Sequence, residues 1–125
     1  MELFEAIFGR RSIRAFKSDD IPEEYLLKLI DAARFAPSAG NLQPWEFIIV
    51  KSTEKRKALA KAALYQNFIF EAPVAIVVCV NEARSARYYG ERGAKLYCIQ
   101  DTAAAIQNLL LAAHGLGLGA CWVGA

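Results

Sequence analysis

Ala36-Pro37-Ser38-Ala39-Gly40-Asn41-Leu42-Gln43-Pro44-Trp45 is the stretch whose reading decides the fold. It lies between a helix-like pattern and a strand-like run. Two prolines, a glycine, a serine and an asparagine in so short a span supply turns, fixed φ values and exposed backbone donors, as a loop shaped around a ligand requires. The plainer alternative is a helix-to-strand connection whose Trp45 plugs the core, because turn residues gather wherever a helix ends. Composition leaves both readings open.

Working outward, Ser18 to Glu24 reads as a helix start. Asp19 or Asp20 can cap it, Pro22 suits the first turn, and Glu23 and Glu24 complement the positive end of the helix dipole. Leu26, Leu29, Ile30 and Ala33 then form the buried stripe, and the helix ends at Phe35 or Ala36, because Pro37 disfavours helical geometry in the residue before it. On the other side, Phe47-Ile48-Ile49-Val50 predicts a strand buried on both faces. Towards the N-terminus, Leu3, Phe4, Ile7 and Phe8 recur at helical spacing until Gly9. Arg10-Arg11-Ser12-Ile13-Arg14-Ala15-Phe16 follows. In extended geometry Arg10, Ser12 and Arg14 share one face while Arg11, Ile13 and Ala15 point the other way. Two guanidinium forks flanking a hydroxyl can cradle a phosphate, and a solvated basic linker is the alternative.

Beyond the strand, Ser52-Thr53-Glu54 reads as a helix cap, with Leu59, Ala60, Ala63 and Leu64 facing the core and Tyr65 to Phe68 closing the helix. Val74 to Val80 is the strongest strand signal and predicts the centre of the sheet. Asn81 to Gly93 is polar and reads as a mobile surface excursion that could serve as a lid. Ala94 to His114 predicts a long helix with Leu96, Ile99, Ala103, Ile106, Leu110 and Ala113 on one side. Ala104, Ala105, Leu109 and Leu111 make its other side apolar too, as expected of a helix buried by its own sheet and by a subunit partner, or of the central helix of a two-layer fold. Gly115-Leu116-Gly117-Leu118-Gly119-Ala120 matches a loose G-x-G-x-x-A pattern, but a helix precedes it and the strand-like Cys121-Trp122-Val123 follows, the reverse of the dinucleotide-binding order. The glycines read instead as a helix C-cap and a tight return, leaving bare backbone near Gly124.

The bulk properties are those of one domain, residues 1–125: 55% hydrophobic residues are ample for a core, and a net charge of +2 gives no reason to invoke nucleic acid or an anionic membrane. Cys79, Cys98 and Cys121 are widely spaced and lack a C-x-x-C pair, which argues against a zinc site or disulfide framework and for reduced thiols in a cytoplasmic protein. The N-terminus lacks a cationic region before an apolar run and so does not read as a signal peptide. Gln107 and Asn108 interrupt the longest apolar stretch, so no segment reaches the roughly 18 residues needed to span a bilayer.

Three segments in this order resemble the nitroreductase family of flavin mononucleotide (FMN) oxidoreductases: Arg10 to Phe16, Pro37 to Trp45, and Leu116-Gly117-Leu118-Gly119-Ala120-Cys121-Trp122-Val123-Gly124-Ala125. The resemblance implies an α+β fold with a mainly antiparallel mixed sheet flanked by helices, shortened at the C-terminus, because members continue past the position of Ala125 with a further helix, a strand and a late basic residue. It implies that Arg10, Ser12 and Arg14, with Arg11 beside them, hold the FMN phosphate. Pro37, Ser38, Ala39 and Asn41 would meet the flavin from the partner subunit of a homodimer. Gln66 would contact the ribityl chain or ring edge, and Gly124 and Ala125 would present backbone near the reactive ring atoms. NADH or NADPH would donate a hydride to FMN in a ping-pong cycle that ends on a nitroaromatic, quinone or similar acceptor. No side chain need be a nucleophile, and His114 is expected to be a helix C-cap. A module that binds FMN without efficient turnover, and an assembly subunit using the Leu96 to Ala113 helix, are the competing expectations.

Overall fold

The computed structural model describes residues 1–125. Six α-helices and two strands follow in the order α1 (Leu3–Gly9), α2 (Glu23–Arg34), β1 (Trp45–Val50), α3 (Thr53–Ala62), α4 (Phe68–Glu71), β2 (Ala75–Val80), α5 (Glu82–Arg92) and α6 (Cys98–Gly115). Local chemistry explains most boundaries. Glu2 caps α1 by accepting from the Phe4 and Glu5 N–H groups, and Ser52 caps α3 by accepting from Lys55 N–H at 3.3 Å. The α6 C-terminus is a Schellman turn: Gly117 at φ +80° lets its own N–H reach His114 O and the Leu118 N–H reach Ala113 O at 2.8 Å.

The core forms where α2 crosses α6. Leu26, Leu29, Ala33 and Ala36 meet Ala105, Leu109 and Ala113, with Trp45 of β1 sealing one end. Small residues on both helices permit close approach, while each fully buried leucine contributes about 1.5–3 kcal/mol. Asn108 crosses the same seam and donates to Ala32 O at 2.9 Å, turning a polar interruption of the helix into a cross-link. Strands β1 and β2 pair antiparallel from Trp45↔Val80 to Val50↔Ala75, and one isolated parallel bridge joins Ser12 to Ala120. The α+β class is therefore present, with a small antiparallel sheet of two strands beside the helices, and the only parallel pairing is that isolated bridge.

Several local expectations need correction. The surface excursion expected at Asn81 to Gly93 is helix α5, started by the Asn81 side chain accepting from Arg84 N–H at 3.0 Å and kinked at Gly90, whose φ is 60°. Its polarity belongs to the exposed face of a helix rather than to a loop. Ala94 to Tyr97 lie in a wide π turn that begins at Gly93, where α5 passes so close that a Cβ on Gly93 would sit 2.6 Å from Ser85 O. In α6 the buried residues are Cys98, Asp101, Thr102, Ala105, Leu109, Leu110 and Ala113, so Leu110 and Ala113 of the expected stripe are buried, whereas Leu96 and Ile99 are exposed. The β1 strand is covered on one face only, with Ile48 53% exposed, and β2 has β1 as its sole neighbour instead of lying at the sheet centre. Neither Asp19 nor Asp20 caps α2, whose N-cap position is Pro22. Helix α3 stops at Ala62 before left-handed Leu64 and Tyr65, which turn Leu64 out of the core. Finally, Cys121 to Val123 form no strand, because beyond the Ala120 bridge no neighbouring strand takes up their backbone groups.

One tie escapes any periodicity argument. The Arg56 guanidinium donates to Phe70 O and Ala72 O at the end of α4, to Lys51 O at 3.1 Å and to Thr53 Oγ1 at 3.1 Å, knitting α3, α4 and the exit of β1 together. Arg56→Ala should lower unfolding free energy by about 2 kcal/mol in urea titration, and Arg56→Lys should recover little, since an ammonium cannot reproduce the planar fork.

Candidate functional site

Residues Arg10 to Arg14 run extended between α1 and the segment after α6. The Ile13 N–H donates to Ala120 O at 3.0 Å, and a side chain at Gly119 would press on Ile13 at 3.0 Å. That bridge fixes which way the strip faces. Arg11 folds back, its Nη1 donating to Phe8 O and Arg10 O, each at 2.9 Å, so its charge serves the end of α1. Arg10 and Arg14 make no side-chain hydrogen bond and no ion pair within the chain, in contrast to Arg34 and Arg84, which hold carboxylates. Ser12 also keeps its hydroxyl free. Two guanidinium forks and a hydroxyl on this strip are thus without a partner in the chain and able to meet an external anion. A cavity of about 160 Å³ adjoins the strip, lined by Gly9 to Arg11, Leu110, His114 and Ala120 among others. His114 lies in the last turn of α6 with Nε2 against Gly9, so close that a methyl at Gly9 would approach it to 3.2 Å.

The Pro37 to Pro44 loop is built differently. Gly40, Asn41 and Gln43 all have left-handed φ values, at 60°, 56° and 52°, a backbone that side-chain-bearing residues adopt only at a cost. Internal bonds hold it: Asn41 N–H to Ser38 O at 3.0 Å and Gln43 N–H to Ser38 Oγ at 3.0 Å. External groups then clamp both sides. Buried Asp101 of α6 accepts the Ala39 N–H at 3.2 and 3.3 Å. Tyr89 of α5 lies over Gly40 so tightly that a Cβ there would come within 2.6 Å of its hydroxyl. Arg84 donates to Gln43 O at 2.6 Å and pairs with Glu46 at 2.7 Å. Pro44 and Trp45 are buried, Pro37 and Asn41 are exposed, and Ser38 and Ala39 lie between.

Of the remaining predicted residues, Gln66 lies near the strip's far end, where Phe68 stacks at 6.4 Å on Phe16. Its Nε2 donates to Ala63 O at 2.8 Å, closing the left-handed turn after α3 and leaving its carbonyl oxygen free. Gly124 and Ala125 are exposed and carry no backbone partner. The structure therefore gathers Arg10, Ser12 and Arg14 at one end of α6 and Pro37 to Asn41 at the other. From Asp101 to His114 the helix rises roughly 20 Å at about 1.5 Å per residue, and no hydrogen bond joins the two groups.

The sequence matches the family model described as the nitroreductase family over residues 7–67 and 61–125. This chain belongs to the nitroreductase family. A relative from Methanothermobacter thermautotrophicus, described as an NADH dehydrogenase/NAD(P)H nitroreductase, is 41% identical over 124 residues, covering 99% of this chain and 61% of its own length. Among solved structures, a nitroreductase family protein from Clostridium novyi NT superposes with a TM-score of 0.86 at 32% identity, over 100% of this chain and 70% of that one. The NADPH:FMN oxidoreductase from Vibrio harveyi complexed with NAD+ gives 0.82 at 32% identity, over 93% of this chain and 53% of that one. The chain thus spans about three fifths of the length of the archaeal relative.

Reading by motif overlooked Asp101, Arg84 and Tyr89. Asp101 carries a signal, as the sole carboxylate in the mostly apolar run from Cys98 to His114, whereas the other two lie in the polar segment Asn81 to Gly93. Burial pushes the Asp101 carboxyl above the usual carboxylate range, and the Ala39 N–H pulls partly the other way. A raised acid favours the folded state most below the ordinary aspartate value of about 3.9, and that contribution is lost as pH rises through the raised value. Urea unfolding of Asp101→Asn from pH 3.5 to 7 should therefore show a stability that gains on wild type as pH increases. At the loop itself, Gly40→Ala should destabilise by about 1–2 kcal/mol, because it combines positive φ with a clash against Tyr89.

Proposed function

We propose that this chain is the cofactor-binding part of an FMN-dependent NAD(P)H oxidoreductase that acts as a homodimer. The observation that carries the reading is the strip Arg10, Ser12, Arg14: aligned by the Ser12–Ala120 bridge and unpaired within the chain, it fits a dianionic phosphate. The location of the Pro37 loop at the opposite end of α6 supports a site shared between two copies, each contributing the strip to one cofactor and the loop to the other. Exposed Leu96 in the turn before α6, Ile99 on α6, and Phe4 and Phe8 on α1 offer apolar surface for such a pairing.

When bound, FMN would supply the chemistry of accepting a hydride from NADH or NADPH and passing electrons to a small acceptor such as a nitroaromatic or quinone. The chain's own residues act on geometry and field. Arg10 and Arg14 neutralise the phosphate and Ser12 orients it. Pro37, Ser38, Ala39 and Asn41 present a rigid wall, with the free proton of Ser38 and the unbonded amide of Asn41 available as polar contacts. The free carbonyl oxygen of Gln66 can accept from the sugar alcohol chain, and the side-chain-free backbone at Gly124 allows close approach to a flat ring. The names of relatives, with both NADH and NADPH among them, support the reaction class. A second reading, a module that binds FMN but consumes NAD(P)H no faster than free flavin does, is favoured by the unpaired backbone of residues 121–125.

Protein purified with added FMN should be yellow and lose its visible absorbance on addition of NADH or NADPH under anaerobic conditions. A colourless protein that takes up no FMN would refute the assignment, and reduction no faster than that of free flavin would favour the second reading. Arg14→Ala should weaken FMN binding by about 1.5–3 kcal/mol in fluorescence titration, as expected for a lost charge-assisted contact.

A further inference from the structure

A buried carboxylate needs a reason. Asp101 lies in the first turn of α6 with 8% of its surface exposed, and neither an arginine nor a lysine pairs with it. Its hydrogen-bonding partner is the Ala39 N–H, reached by both carboxylate oxygens. An asparagine could accept the same N–H without burying a charge, whereas an alanine would leave it without this acceptor. The feature that distinguishes Asp101 is therefore what it grips. Ala39 opens the turn in which Gly40, Asn41 and Gln43 are all left-handed, and its N–H is the point at which that strained backbone is tied to the rigid helix. On the other side of the same turn Tyr89 covers Gly40 and is itself held edge-on by Tyr97 at 5.1 Å.

We infer that Asp101 is a positioning residue for the cofactor: by accepting the Ala39 N–H it holds Pro37 to Gln43 in the shape that meets the flavin, and it does so from within the core without touching the ligand. The inference rests on reading that loop as one wall of the FMN site. It makes cofactor affinity depend on a helix residue that a list of flavin contacts would leave out. The energetic logic is preorganisation: a loop that already has its bound shape loses less freedom when the ligand arrives.

The test compares wild type, Asp101→Asn, Asp101→Ala and the core control Leu29→Ala, each titrated with FMN by flavin fluorescence at a temperature where all are folded. Asp101→Asn, which keeps an acceptor oxygen, should bind within about threefold of wild type, and Asp101→Ala about tenfold or more weakly. Leu29→Ala, with an equal or larger loss of Tm, should keep the wild-type dissociation constant. Unchanged affinity in Asp101→Ala overturns the inference, as does a loss in Leu29→Ala equal to that in Asp101→Ala, since general loosening would then explain both. Should Asp101→Ala fail to fold, amide exchange in wild type decides: the Ala39 N–H must exchange much more slowly than those of exposed loop residues before FMN is added, and fast exchange overturns the role. Wild type that takes up no FMN refutes the flavin reading itself, whereas wild type that binds beside an unaffected Asp101→Ala refutes only the role of Asp101.

Discussion

Helix α6 has to be covered along most of its length, and the close crossing with α2 does most of the covering. Alanines at 33, 36, 105 and 113 leave room for the two backbones to approach, and Leu26, Leu29 and Leu109 fill what remains. This crossing sets the rotation of α6 and with it the two anchor points at its ends. Asp101 is turned inward where the Pro37 loop passes, and His114 is turned toward Gly9 where the arginine strip begins. A rotation of one residue would carry both away from their partners. The candidate site thus depends on apolar packing that contains none of its residues.

The arginines show how the same side chain takes different roles according to its neighbours. Arg11 closes α1, Arg34 pairs with Asp31 within α2, Arg56 binds α4, and Arg84 reaches from α5 to Gln43 and Glu46. Arg10 and Arg14 alone among these lie on a strip whose register is fixed by a backbone bridge and whose donors have no internal acceptor. Binding capacity here is a matter of what the fold leaves unsatisfied at the surface, where water holds the place of a ligand at little cost.

Much of this was legible in the residues. The stripe of α2, the Ser52 cap and the glycine return after α6 all follow from local rules, and the structure has them. The departures share a cause. Polarity in Asn81 to Gly93 was taken for irregularity, although Asn81 is a good cap and only Ser85 and Gly93 of that stretch need burial. The apolar pattern of α6 places Leu110 and Ala113 inward correctly, but not Ile99, because Asp101 and Thr102 take the buried positions of its first turn. Asp101 does its work with an N–H some sixty positions away, as do Tyr89 and Arg84 across shorter gaps, and no window along a sequence contains such pairs. The opposite placement of strip and loop is likewise a property of the helix between them, invisible until the helix is given its length.

The parallel bridge between Ser12 and Ala120 has a kinetic side. It joins residues from the two ends of the described chain, so its formation closes a very long loop, and contacts of such separation form only after nearer ones have offset the entropy of closure. On loop-closure entropy alone, the strip is expected to take its extended register after α2, the β1–β2 pair and α6 are in place. A partly folded chain would present the same arginines as an unordered basic segment with no geometry to recognise a phosphate. A ligand that binds the ordered strip would favour the folded state, and with it this bridge, by mass action.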